Sequence, residues 1–231
     1  MKNKIKNFLF FLFLVNFPLL AISNDIVVKS FYAGNSKYEA GDYTAAIQEY
    51  EGALASGYSS GPLYFNLGNA YFKQGKTGKA ILNYERARRL IPRDSDLNTN
   101  YDYARQMVKY SAGTSKIFFT INELCLIAAL LFLLALLAGL WRRYYLSALL
   151  IIFLSLAVFF LIKQAEAVDK EAVVISASSP AYFEPRKDAT VHYNLYEGAA
   201  VYLVSRDGDW YKVRSADGKS GWVVRQDMEI I

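Results

Sequence analysis

One cysteine and one histidine are all that 231 residues offer for thiol, imidazole or soft-metal chemistry. A structural zinc site takes four Cys or His ligands and a disulfide takes two thiols, so Cys125 and His192 exclude both. The sequence holds no G-x-S-x-G, no P-loop and no H-E-x-x-H. His192 has no accompanying nucleophile motif and reads as structural. The acid pairs Glu49/Glu51 and Asp94/Asp96 fall at expected helix surfaces or caps, where solvation and the helix dipole account for them. The chain therefore reads as no enzyme and calls for no cofactor. The chemistry left is that of amides and aromatic rings. Asn35 and Asn69 stand 34 residues apart, as do Asn66 and Asn100. An amide both donates and accepts, so such residues can pair with a peptide backbone whatever its sequence. A solvated polar face is the competing reading. Phe31, Tyr38, Phe65 and Phe72 make the same face aromatic, which suits a partner with apolar anchors.

The spacing of 34 runs through residues 26–110. It aligns Gly34 with Gly68, Gly41 with Gly75, Ala46 with Ala80, Tyr50 with Tyr84 and Ala53 with Ala87. The second copy reads Tyr64-x2-Leu67-Gly68-x2-Tyr71, then Ala80-x3-Tyr84, Ala87 and Pro92. This resembles the tetratricopeptide repeat (TPR), a pair of helices whose crossing admits only small residues. The pattern predicts helices over 26–40, 43–56, 62–74 and 77–90. A fifth starts after Pro92, capped by Asp94 or Ser95, and runs to about Lys109 as a polar end cap. The resemblance implies that the inner face of each first helix is a peptide groove, which places Asn35, Asn66, Asn69, Asn100, Phe65 and Phe72 as partner-binding residues. The basic half of a carboxylate clamp is missing, since Phe31, Asp96 and Asn100 occupy its places.

From residue 171 to 231 the period changes to that of short strands: Ala172–Ile175, Ala200–Val204, Trp210–Val213 and Gly221–Val224. Asp207-Gly208 and Asp217-Gly218 read as hairpin turns. The order of Glu197-Gly198, Asp209-Trp210-Tyr211-Lys212-Val213 and Asp217-Gly218-Lys219-x-Gly221-Trp222-Val223 resembles bacterial SH3-like domains, which implies a small barrel. Trp210 and Trp222 are expected in its core, because so small a barrel needs large residues. Tyr182 and Phe183 are the surface candidates.

Hydrophobic residues make up 54% and charged residues 20%, and the apolar surplus is clustered. Residues 1–23 carry Lys2, Lys4 and Lys6 and no acid, then an apolar run from Phe8 to Ala21 and Ala21-Ile22-Ser23. They read as a secretory signal peptide, with an uncleaved anchor as the alternative. Those three lysines supply much of the formal charge of +5, so the basic balance is no argument for nucleic acid. Two further apolar runs, extended to 117–141 and 144–162, read as transmembrane helices joined at Arg142-Arg143. The basic loop would lie in the cytoplasm and the flanking domains outside. The expected fold class is thus a multidomain membrane protein, with an all-α TPR solenoid (26–110), a two-helix transmembrane hairpin and an all-β SH3-like barrel (171–231).

This order of segments resembles the BatE family of bacterial aerotolerance operons. The resemblance implies a protein of the bacterial inner (cytoplasmic) membrane with two spans and both modules periplasmic. It also implies von Willebrand A-domain membrane proteins as partners and, through them, a MoxR-type AAA+ ATPase, in aerotolerance, stress resistance or assembly of envelope complexes. The expected function is a non-enzymatic adaptor. The alternative is a cell-wall tether whose barrel grips peptidoglycan while the TPR is a spacer.

Overall fold

The structure, a computed structural model, describes residues 24–108, 120–140, 151–153, 155–156 and 171–231. The expected signal peptide (1–23) and the Arg142-Arg143 loop lie outside the described residues. The chain divides into two compact units, Met1–Ser59 and Ser60–Ile231.

In the first unit, α1 (Asn24–Glu39) and α2 (Tyr43–Ala55) form an antiparallel pair. The turn between them passes through Gly41 at φ 78°, a conformation open to glycine at little cost. Asp42 caps α2 by accepting the Ala45 N–H at 3.0 Å. Ala46, Ile47, Tyr50 and Ala53 give α2 its buried stripe.

The second unit repeats this plan in α3 (Gly61–Lys73) and α4 (Thr77–Leu90). Ser60 caps α3, with Pro62 in its first turn, where a missing N–H costs nothing. Tyr84 of α4 lies over Gly68 of α3, and a Cβ on Gly68 would stand 2.6 Å from the ring. The conserved spacing of small and large residues in the two copies is therefore a packing requirement. Pro92 ends the pair. Asp94 then caps α5 (Ser95–Gln106) by accepting the Leu97 N–H at 2.8 Å, as the sequence led one to expect.

Between α4 and α5 the core turns polar. Glu85 is 4% exposed, Arg105 6% and Tyr101 3%. Tyr101 donates its hydroxyl proton to Glu85, Arg105 donates to the Tyr101 oxygen at 2.9 Å, and Arg88 pairs with Glu85 at 3.3 Å. A buried charge is tolerated when its lone pairs are taken up in this way.

Helix α6 (Ile121–Leu140) follows. Thr120 and Glu123 close a capping box: Thr120 N–H donates to the Glu123 carboxylate at 2.9 Å, and Glu123 N–H donates to Thr120 Oγ1 at 3.2 Å. The same carboxylate pairs with Arg93. These hydrogen bonds, that from Arg93 foremost, hold the Glu123 carboxyl down at about 2. Among the described residues, no helix is long and apolar enough to cross a membrane. This corrects the expected fold class, in which 117–141 and 144–162 form a transmembrane hairpin. The physical reason lies in the start of α6. Its first turn carries the ionised Glu123, fastened to Arg93, and such a pair is held out of a hydrocarbon layer. Of the second run only Ile151–Phe153, Ser155 and Leu156 are described.

Residues 171–231 form a seven-stranded antiparallel sheet in the order β3-β2-β6-β5-β4-β1-β7. The strands are β1 (Glu171–Val174), β2 (Ser178–Tyr182), β3 (Val191–Tyr196), β4 (Ala200–Asp207), β5 (Trp210–Ser215), β6 (Ser220–Val224) and β7 (Met228–Ile230). Both expected hairpin turns join neighbouring strands, β4 to β5 and β5 to β6. Its core is Ala172, Val174, Ala181, Leu195, Ala199, Val201, Tyr211, Val213, Val223 and Met228. Trp210 and Trp222 are not in it, contrary to expectation; both are half-buried. Strand alternation explains this. Tyr211, Val213 and Val223 take the inward positions, so Trp210 and Trp222 must point outward.

Candidate functional site

Phe65, Asn69 and Phe72 recur at i, i+4 and i+7 and so share one face of α3. The helix pairing places Asn100 and Tyr103 of α5 against that face. Asn69 Oδ1 accepts from the Tyr84 hydroxyl at 2.7 Å and from Asn100 Nδ2 at 2.9 Å. Phe65 packs on Tyr84 at 6.1 Å between ring centroids, and Phe72 meets Tyr103 edge-on at 5.7 Å. Asn66 is half-buried on α3. The second unit thus brings Phe65, Asn69, Phe72 and Asn100 together.

Asn35 belongs to the first unit, where its Oδ1 accepts from the Tyr50 hydroxyl at 2.8 Å and Phe31 packs on Tyr50 at 6.2 Å. The two units share one internal device. An asparagine of the first helix receives the hydroxyl of a tyrosine 15 residues later on the second. A net gain of about 1 kcal/mol per bond and the cost of stranding a buried hydroxyl make it a packing element. Its signal, Asn-x14-Tyr in both copies, stood in the sequence beside the spacing of 34. Tyr103, 52% exposed, extends the aromatic face through Phe72 and was not singled out, because α5 departs from the repeat pattern.

A second set of contacts joins α4 to the β-sheet domain. Helix α4 has Lys76 at its N-cap position and no side-chain cap of its own. Glu197, from the turn after β3, supplies it by accepting the Gly78 N–H at 2.6 Å. An acidic group is favoured at that end of a helix by the unpaired N–H groups and the dipole. The approach needs glycine, since a Cβ on Gly78 would lie 2.9 Å from the Val174 carbonyl oxygen and 2.6 Å from Glu197 Cγ. Further along α4, Arg86 pairs with Glu229 at 3.0 Å and donates to the Ile230 carbonyl at 2.7 Å. Arg89 pairs with Glu171 at 3.1 Å and donates to the Ile231 carbonyl at 2.9 Å. The two guanidiniums thereby cover main-chain acceptors along β7, an end strand of the sheet. Burial pushes the Glu171 carboxyl above the usual carboxylate range; Arg89 opposes the shift, and the negative charge of Glu85 adds to it.

On the β-sheet domain, Tyr182 is half-buried and stands edge-on to Trp210 at 5.5 Å with an interplanar angle of 88°. Phe183 is 58% exposed and stacks on His192 at 4.3 Å. His192 Nδ1 lies 3.1 Å from the Ser220 carbonyl oxygen. Among the described residues no three His, Cys, Asp or Glu come together in a way that could hold a metal ion.

Helix pairs of 34-residue period and a short-stranded antiparallel sheet define the class: a chain of two interaction modules. Residues 33–95 match the tetratricopeptide repeat family and residues 176–227 match the bacterial SH3 domain family. No curated protein matches the chain. The two matches indicate protein–protein interaction, with peptidoglycan as a further kind of ligand for the second module.

Proposed function

We propose that the chain is a non-enzymatic, extracytoplasmic adaptor with two binding modules, the bacterial SH3 domain being docked on the second helix pair of the repeat. The observation that supports it is the docking of the bacterial SH3 domain on α4 through Glu197, Glu171 and Glu229. The domain meets α4 and, at Gly198, Val108 just after α5. Fixing the two modules together raises the effective concentration of one site for a target held at the other. The face around Phe65, Asn66, Phe72 and Asn100 takes an extended segment of a partner, with ring contacts supplying affinity. Export of the modules rests on the lysine-led apolar segment at residues 1–23. The order of repeat and SH3 module supports a BatE-like adaptor, whose partners would be von Willebrand A-domain proteins and, indirectly, a MoxR-type ATPase.

The test is capture of the full-length chain from gently solubilised cells, beside a variant carrying Asn66→Ala and Phe72→Ala. Enrichment of A-domain proteins or the ATPase, lost in a variant whose helicity is unchanged, is the expected result. Equal capture by both forms removes the groove from the proposal. The bacterial SH3 match favours the wall tether as the second reading. Sedimentation of the chain with purified wall, with no protein enriched, establishes that reading instead.

A further inference from the structure

The outward side of β2, β6 and β5 carries more aromatic surface than the fold requires. Tyr182 is paired with Trp222, and Trp222 with Lys212, so the three residues stand in a row across neighbouring strands. Trp210 and Arg214 lie two residues either side of Lys212 and share its side of the sheet. None of the five contributes to the core, which small and β-branched residues fill with Tyr211, Leu195 and Met228.

Most carboxylates of this domain are engaged: Glu184 and Asp188 pair with Arg186, and Asp217 pairs with Lys219. Glu171, Glu197 and Glu229 face α4, and Asp227 is engaged with Ser176 and Ser179. Lys212 and Arg214 pair with no carboxylate among the described residues. The ammonium of Lys212 stands 6.0 Å above the Trp222 ring.

The ring arrangement discriminates between ligands. A sugar stacks on an open ring face, yet Lys212 covers one face of Trp222, and Tyr182 and Trp210 meet edge to face. These rings stand beside two cations, Lys212 and Arg214. We infer that this side of the SH3 domain binds an acidic peptide segment of a protein partner. A carboxylate is taken by Lys212 and Arg214, and a neighbouring apolar side chain lies against Tyr182, Trp210 and Trp222. A carboxylate next to a cation already held over an aromatic ring gains a charge-assisted hydrogen bond without ordering a free lysine. The inference rests on the partner-binding reading of the chain, but it concerns a surface that the α3–α5 face does not share.

The experiment uses the full chain and three probes followed by fluorescence anisotropy. They are a labelled eight-residue peptide of alternating Glu and Pro, the same peptide with Gln for Glu, and labelled soluble fragments of digested peptidoglycan. The acidic peptide is expected to bind, the Gln peptide at least tenfold more weakly. Lys212→Ala with Arg214→Ala is expected to weaken the acidic peptide at least tenfold, and Lys212→Arg to retain it. Both positions point out of the core, and the circular dichroism of each variant establishes that it is folded. No binding of the acidic peptide, equal binding of the Gln peptide, indifference to the double substitution, or binding of wall fragments alone would each overturn the inference. The groove variant Asn66→Ala with Phe72→Ala is expected to bind the acidic peptide normally, so failure of this surface and failure of the groove are read separately.

Discussion

Helices α2 and α4 occupy the same place in two copies of one repeat, and they differ on the outside while agreeing within. Inside, Tyr50 and Tyr84 each lie over a glycine and donate to an asparagine of the preceding helix. Outside, the 34-residue shift sets Thr44 against Gly78, Gly52 against Arg86 and Ala55 against Arg89. The capping position differs too, Asp42 capping its own helix where Lys76 leaves α4 to be capped by Glu197. A repeat can hold its internal packing constant while a few outward positions turn one copy into a docking surface. The physical reason is that the internal positions are set by close approach of two helices, whereas the outward ones meet only solvent or a partner.

That comparison can be broken at its shared part first. Gly68→Val forces a branched side chain into the Tyr84 ring and is expected to cost about 3 kcal/mol, read as a lower urea midpoint at unchanged m-value. Gly34→Val is expected to do the same to the first unit through Tyr50. A neutral result at either glycine would mean that the crossing is looser than its geometry.

The outward difference is sharpened by copying one repeat onto the other. Gly78→Thr installs the residue of the first copy and is expected to undock the SH3 domain, because the new Cβ meets the Val174 carbonyl. Faster amide exchange in β1 and β7, with α3 unchanged, is the readout. Glu197→Ala is expected to cost about 1 kcal/mol as a lost helix cap. Adding Lys76→Asp gives α4 the cap of the first copy and is expected to restore thermal stability without restoring docking. Should stability stay unrestored, loss of the cap is not what Glu197→Ala costs.

Tyr50→Phe and Tyr84→Phe are smaller changes, each expected to cost about 1 kcal/mol in the same denaturation experiment. A clear inequality between them would separate the Asn69 site, which also receives Asn100, from the Asn35 site.

The smallest effects concern pH. Arg89–Glu171 and Arg93–Glu123 are both arginine–carboxylate pairs, yet their carboxyls shift in opposite directions. Glu171 is raised by burial, so its contribution is full below the ordinary carboxylate range and falls as pH rises through its raised value. Glu123 is lowered to about 2, so its contribution is full above the ordinary range and is lost as pH falls towards 2. Carbon-13 titration of the two carboxyls reads this directly. Coincident midpoints would remove the distinction between a desolvated pair and a hydrogen-bonded one.

Much of the helical half was legible in advance. Helix ends fell within a few residues of expectation because Asp42, Asp94, Gly41, Gly75 and Pro92 act on the chain locally. The capping box at Thr120–Glu123 was equally local and stood in the sequence as T-x-x-E. The two tryptophans were misplaced because residue size says nothing of which side of a strand faces inward; the pairing of Lys212 with Trp222 and the inward Val213 and Val223 decided that. The transmembrane hairpin was inferred from the length of two apolar runs and the Arg142-Arg143 junction with its flanking aromatics, whereas the fastening of Glu123 to Arg93 is a contact between residues 30 apart.

The sequence by itself determined the repeat period, the helix pairs, the strand-rich second module and the scarcity of cysteine and histidine. Each follows from spacing or residue type, which act over a few turns of chain. The tertiary structure alone decided that α4 is capped from another module by Glu197, and that Arg86 and Arg89 cover a sheet end. Those outcomes depend on which groups meet across more than a hundred residues of chain, and no local pattern encodes a meeting of that range.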